Sequence, residues 1–124
     1  MALGISTACL YPMAMEDSLQ TLIDSGFREF EIFINTYSEM EPEFLTMLEE
    51  KLKPQGCRVK SLHPFTSGFE SYLLFSNYER RFQDGASFYR RYFEMARRLG
   101  AKILVIHGDR SFEKSGLNDR EYYD

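Results

Sequence analysis

The sequence predicts an α/β chain of parallel β/α units, on three observations. One phrase, a helix-ending glycine followed by a short turn and an apolar run, occurs three times. The copies are Gly26-Phe27-Arg28-Glu29-Phe30-Glu31-Ile32-Phe33, Gly56-Cys57-Arg58-Val59-Lys60-Ser61-Leu62-His63 and Gly100-Ala101-Lys102-Ile103-Leu104-Val105-Ile106-His107. Helical and strand-like stretches alternate as β-α-β-α-β-α-β, and each crossover is long enough to hold a helix. Such crossovers make parallel sheets with right-handed connections. The strand runs are also continuously apolar, as strands covered on both faces are.

Leu3 to Thr7 is the first strand. Glu16 to Ser25 places Leu19, Leu22 and Ile23 at helical spacing and stops at Gly26. Phe30 to Ile34 is the second strand. Pro42 suits a first helical position, and Phe44, Leu45, Leu48 and Leu52 mark a helix face that ends near Pro54 and Gly56. Val59 to His63 is the third strand. A long helix follows, with Phe88, Tyr92, Met95, Ala96 and Leu99 on one stripe and Gly100 as its stop. Ile103 to His107 is the fourth strand.

The glycines at 26, 56 and 100 lie 30 and then 44 residues apart. The excess is Pro64 to Asn77, where Phe65, Phe69, Tyr72 and Phe75 stand among polar residues. Two readings stay open for it, a lid over the strand ends or a loop with its own small apolar cluster. At the tail, Asn118 and Glu121 resemble a capping-box helix start, yet the sequence stops at Asp124. One helical turn is not stable alone. A (β/α)₈ barrel needs about 250 residues, so the 124 residues are expected to form a single domain. That domain would be the N-terminal half of a TIM barrel, its first four strands; the alternative is a small doubly wound parallel sheet.

A net charge of −4 gives no electrostatic case for nucleic acid. No apolar run is long enough for a membrane span, and Met1-Ala2-Leu3-Gly4 lacks the basic start of a secretion signal. A cytoplasmic setting with no membrane partner is expected. Cys9 follows the first strand and Cys57 precedes the third, so they belong to opposite ends of a sheet. A five-residue strand spans about 17 Å, beyond the roughly 7 Å that a disulfide allows. Two free, packed thiols are the reading.

Both histidines of the chain, His63 and His107, stand seven residues after a helix-ending glycine and so at a strand's C-terminal end. In parallel α/β folds that end is where ligands bind. Side chains alternate along a strand, which puts Glu31, Ser61, His63, Val105 and His107 on the barrel-interior side. Phe33 occupies the histidine position of the second strand. Phe30, Ile32, Leu62, Leu104 and Ile106 are left to pack under helices, and Lys60 is a misfit there that snorkels outward. Strands about 4.8 Å apart let two imidazoles share a ligand. That ligand is either a divalent metal completed by carboxylates or a polyol to which the rings hydrogen-bond and pass protons.

Glu31 lies in a strand of Phe and Ile, where an unpaired carboxylate would be costly. It either serves a site or pairs with Lys60 or Lys102. Asp109 and Arg110 follow His107 at the same end, as Ser6, Thr7 and Tyr11 stand beside the first strand; a solvated turn and a substrate contact are both open for them. Arg80, Arg81, Arg90, Arg91, Arg97 and Arg98 read as a solvated outer helix face. No P-loop, dinucleotide fingerprint, nucleophile elbow or His-Glu-x-x-His motif occurs.

Gly4-Ile5-Ser6-Thr7, Gly26 to Glu31, Leu62-His63, Ala96 to Ala101 and His107-Gly108 together resemble the xylose isomerase-like TIM barrels. That superfamily includes sugar-phosphate isomerases and epimerases, hydroxypyruvate isomerase, inosose dehydratase and endonuclease IV. The resemblance covers nearly the whole sequence but only four of the eight β/α units. It implies a metal-dependent sugar or sugar-phosphate isomerase/epimerase of carbohydrate metabolism, with a small polyol, sugar or sugar phosphate as partner. It implies a divalent metal, Mn, Mg, Co or Zn. Glu31, His63 and His107 match the family's strand-end catalytic residues, and the two histidines match metal ligands in its endonuclease branch. Tyr11, Phe65 and Asp109 are expected to bind substrate. The remaining family ligands come from strands five to eight, which this sequence lacks. The alternatives are an endonuclease IV-like zinc-dependent AP endonuclease and a non-catalytic half-barrel that binds or assembles with a partner, as a homo-oligomer or a pair of half-barrels.

Overall fold

A computed structural model describes residues 3–109. Arg110, Asn118, Glu121 and the expected fourth-helix start lie outside the described residues. The described elements are β1 (Gly4–Ser6), α1 (Met15–Asp24), β2 (Glu29–Phe33), α2 (Pro42–Leu52), β3 (Arg58–His63), α3 (Glu79–Leu99) and β4 (Ile103–Leu104). Short 3₁₀ turns follow β1, precede and follow α2, and span Phe65–Tyr72. The four strands form one parallel sheet in the order β1-β2-β3-β4. The predicted α/β class with parallel β/α units is what the chain adopts.

Right-handed crossovers that always step in the same direction put every helix on one face of the sheet. The core bears this out. Leu19 and Leu22 of α1, Leu45 and Leu48 of α2, and Tyr92 and Met95 of α3 join Phe30, Ile32, Val59 and Leu62 of the sheet in a single buried cluster. Sequential strands with helices on one face is the pattern of consecutive barrel units; a doubly wound sheet carries helices on both. The opposite face carries Glu31, Phe33, Ser61 and His63, all half-buried. The continuous apolar character of the strands therefore comes from one well-covered face plus Phe33, not from helices on both sides.

Local signals explain the helix ends. Glu16 and Asp17 occupy the first turn of α1, and Pro42 the start of α2, where anionic groups and a missing N–H are favoured. Arg28 donates from Nη1 to the carbonyl of Ile23 at the end of α1, at 2.9 Å. Buried Thr7 joins β1 to its neighbours, accepting the Phe33 N–H on Oγ1 at 3.0 Å while its carbonyl accepts from Ser18 Oγ at 2.7 Å.

Three features differ from the expectation. First, β2 and β3 change register between Phe30 and Glu31, so that Phe30 faces Val59 and Glu31 faces Ser61. Lys60 is the extra residue of a bulge. It does not snorkel from under a helix; it shares buried Glu29 with Arg58, at 3.2 Å from Glu29 Oε2. Second, β4 is shorter than Ile103 to His107 and pairs Ser61 with Ile103. His63 is thus level with Val105, and Ile106, expected under a helix, is 45% exposed. Third, the arginines of α3 are not all solvated. Arg98 binds Glu49, Thr46 and the Pro42 carbonyl of α2, and Arg91 pairs with Glu41 and lies over the Tyr37 ring at 4.3 Å.

Candidate functional site

The carboxyl rim of the sheet brings the two histidines together. His63 ends β3, in register with Phe33 of β2, and the two rings stack with centroids 4.5 Å apart. His107 stands three residues past the end of β4, where the chain has left the ladder after the Val105 N–H bonds the Leu62 carbonyl. Its ring meets that of His63 edge to face, with centroids 4.9 Å and Nε2 atoms 2.9 Å apart. The glycine spacing indicated this meeting, although it arises by a different route. Strand register alone leaves His107 beyond His63, and the segment after β4 turns it back over the rim.

Hydrogen-bond chemistry fixes the tautomers. His63 Nδ1 lies 3.1 Å from the Pro64 carbonyl oxygen. A carbonyl only accepts, so Nδ1 carries the hydrogen, and in the neutral ring Nε2 is a lone-pair acceptor. The Nε2–H of neutral His107 is then the donor across the 2.9 Å contact. The single lone pair of His63 Nε2 is thereby taken by His107, and the His63 ring is steadied by the Phe33 face on one side and the Pro64 carbonyl on the other.

The pair suits a divalent metal in donor type and spacing. Two nitrogens bound to one tetrahedral zinc at about 2.0–2.1 Å stand roughly 3.3–3.4 Å apart, so the Nε2 atoms would separate by about half an ångström and both rings would turn to aim their lone pairs at one ion. His107 would also move its proton from Nε2 to Nδ1. Among the described residues no group of three or more His, Cys, Asp or Glu side chains is arranged to hold a metal ion. The two imidazoles fit as part of a ligand set.

Glu31 shares their face but sits one step lower, opposite Ser61, whose Oγ donates to Glu31 Oε2 at 3.1 Å. Two strand residues are about 6.6 Å, so Glu31 supports the floor beneath the pair. The alternative partner Lys60 is engaged by Glu29 instead. Tyr11 is 75% exposed, beyond the turn that follows β1. Phe65 turns toward α3, edge-on to Phe88 and Tyr92 at 6.3 and 6.4 Å between centroids, and anchors the loop after β3. Asp109 is exposed at the end of the described residues.

The stretch from Pro64 to Asn77 does not gather its aromatic residues into a cluster of its own. Phe69, Tyr72 and Phe75 face outward, whereas Thr66, Ser67 and Glu70 are buried. Glu70 was absent from the sequence-derived site, yet its Oε2 accepts the backbone N–H groups of His107 at 2.7 Å and Gly108 at 2.9 Å. The only signal in the sequence is a lone carboxylate between Phe69 and Tyr72, which periodicity does not mark.

Both cysteines are free thiols, although Cys9 is exposed and not packed as expected, and burial pushes the Cys57 thiol up. Among the described residues no helix is long and apolar enough to cross a membrane. No protein-family model matches the chain, and no curated protein is significantly similar to it.

Proposed function

We propose that the chain carries part of the active site of a metal-dependent sugar or sugar-phosphate isomerase or epimerase. The observation that carries this reading is the convergence of two imidazole Nε2 atoms, 2.9 Å apart, at the carboxyl rim of a parallel sheet. The strand-end motifs that resemble xylose isomerase-like barrels support it.

In this reading His63 and His107 hold the polar end of a small polyol, directly or through a divalent metal. When bound, such a metal polarises a carbonyl or hydroxyl oxygen as a Lewis acid. His63 keeps its Nε2 lone pair directed at the rim because Nδ1 is tied to the Pro64 carbonyl. In this arrangement that lone pair takes the His107 Nε2–H, and it accepts a hydroxyl proton or ligates once a bound group parts the two rings. The Nε2–H of His107, engaged by His63 here, turns to a substrate oxygen when the rings part. Glu31, bound to Ser61, places a carboxyl group beneath the pair, on the side from which a carboxylate balances a cation or a developing imidazolium.

His63→Ala and His107→Ala are the direct test. Each is expected to lower isomerisation by at least about a hundredfold, the lower end for loss of a proton-handling group, with folding retained because both rings sit at the rim. Undiminished turnover across a panel of aldoses, ketoses and their phosphates would remove the assignment. Cleavage of abasic duplex by the parent protein, lost in both variants, would move the pair to a hydrolase.

A further inference from the structure

We propose that Glu70 is the positioning residue of the histidine pair, acting through the backbone of His107. The inference rests on the pair being the working site, and it names what holds that site in shape.

Glu70 is 0% exposed, in the 3₁₀ stretch Phe65–Tyr72 after β3. A buried carboxylate persists only when its oxygens are supplied with donors, and here the donors come from two other parts of the chain. Oε1 accepts the Tyr89 hydroxyl of α3 at 3.0 Å. Oε2 accepts the N–H groups of His107 and Gly108 at 2.7 and 2.9 Å. Gly108, the second of these donors, adopts φ 80, a left-handed conformation open to glycine, so the chain turns directly after the pair of N–H groups.

The network runs further back. A hydroxyl has one hydrogen, and that of Tyr89 goes to Glu70. Thr66 Oγ1, 3.2 Å from the Tyr89 hydroxyl, must therefore donate to it. Tyr92, 3.0 Å from the same Oγ1, must donate to Thr66. The directed chain Tyr92→Thr66→Tyr89→Glu70 is buried throughout. Burial, reinforced by the Glu70 carboxylate, pushes the Tyr89 phenol well above its ordinary range and keeps its proton in place. No buried side-chain nitrogen or oxygen among the described residues lacks a partner. One carboxylate thus fastens the loop after β3 to α3 and to the segment that carries His107. Since β4 ends at Leu104, that fastening takes over where the ladder stops, and the 2.9 Å contact between the histidines depends on it.

The test compares Glu70→Ala and Glu70→Gln with the parent by two readouts, after circular dichroism confirms folding. The first is the nuclear Overhauser contact between the ring protons of His63 and His107, read without metal. The second is the zinc dissociation constant, read by competition with a chromophoric chelator. Glu70→Ala is expected to abolish the ring-to-ring contact and weaken zinc about ten- to a hundredfold, the range for loss of an outer-sphere partner. Glu70→Gln keeps the shape and one acceptor oxygen, so a weakened contact and a loss of about three- to tenfold are expected. If Glu70→Ala does not fold, Glu70→Gln alone decides. A ring contact and zinc constant within twofold of the parent in the folded variants overturn the proposal. Zinc binding that is absent, or indifferent to His63→Ala, overturns the metal reading of the pair; the ring contact then decides the role of Glu70 by itself.

Discussion

Replacing Gly85 by alanine sets two effects of opposite sign against each other within one helix. Gly85 is a buried interior position of α3, where alanine is intrinsically favoured over glycine by about 1 kcal/mol. A Cβ at this position would lie 2.8 Å from Leu73 Cβ, 3.1 Å from Leu73 C and 3.2 Å from Leu73 Cα. Ordinary contact begins near 3.4 Å, so the loop after β3 must retreat by about half an ångström. Two of the three atoms are backbone, and no rotamer change of Leu73 relieves them. Overpacking of this kind costs about 1–3 kcal/mol. The net expectation is a destabilisation of roughly zero to 2 kcal/mol, read as a fall in Tm of up to about 8 °C for a chain of this size. Differential scanning calorimetry of parent and variant measures it. A rise of about 4 °C, the outcome helix propensity alone requires, would refute the close approach of the loop to α3.

Two further predictions concern polar pairs. The Arg98 guanidinium donates to Glu49 from Nε and Nη2 at 3.3 and 3.1 Å and holds its carboxyl below the ordinary 4.5. A depressed folded-state value means stability that is present above about pH 4.5 and is lost as pH falls through the folded value; Glu49→Gln should flatten the decline of Tm in that acid window. An acid limb as steep as the parent's would reject the pairing. In the buried hydroxyl chain, Tyr89→Phe removes a donor to Glu70 and an acceptor for Thr66, for a cost of about 1–3 kcal/mol. Tyr92→Phe removes the donor to Thr66 and leaves the Glu70 carboxylate its Tyr89 partner, so it should cost less in urea unfolding; the reverse order would contradict the direction of the chain.

Much of the architecture was legible because it follows from near-neighbour chemistry. Leu19, Leu22 and Ile23 at helical spacing, Pro42 at a helix start and Gly100 at a helix stop each mark a local backbone choice, and α1, α2 and α3 formed there. Alternation along β2 separated Phe30 and Ile32, packed under the helices, from Glu31 and Phe33 on the other face. The same reasoning put His63 at the rim. It failed where a residue's position depends on a distant segment. Nothing near Lys60 announces the bulge, which exists because Glu31 pairs with Ser61 and buried Glu29 takes both Lys60 and Arg58.

His107 shows where local pattern ends. The chain alone specified a histidine at the end of a strand that follows a helix stop. Its height and direction were decided by β4 pairing Ile103 with Ser61 and by Glu70, 37 residues earlier, taking its N–H. A carboxylate is tolerable in the interior only once donors from α3 and from the segment after β4 surround it. Those donors assemble only when the sheet and its helices are in place, so the meeting of the two imidazoles is a property of the folded chain and not of either strand.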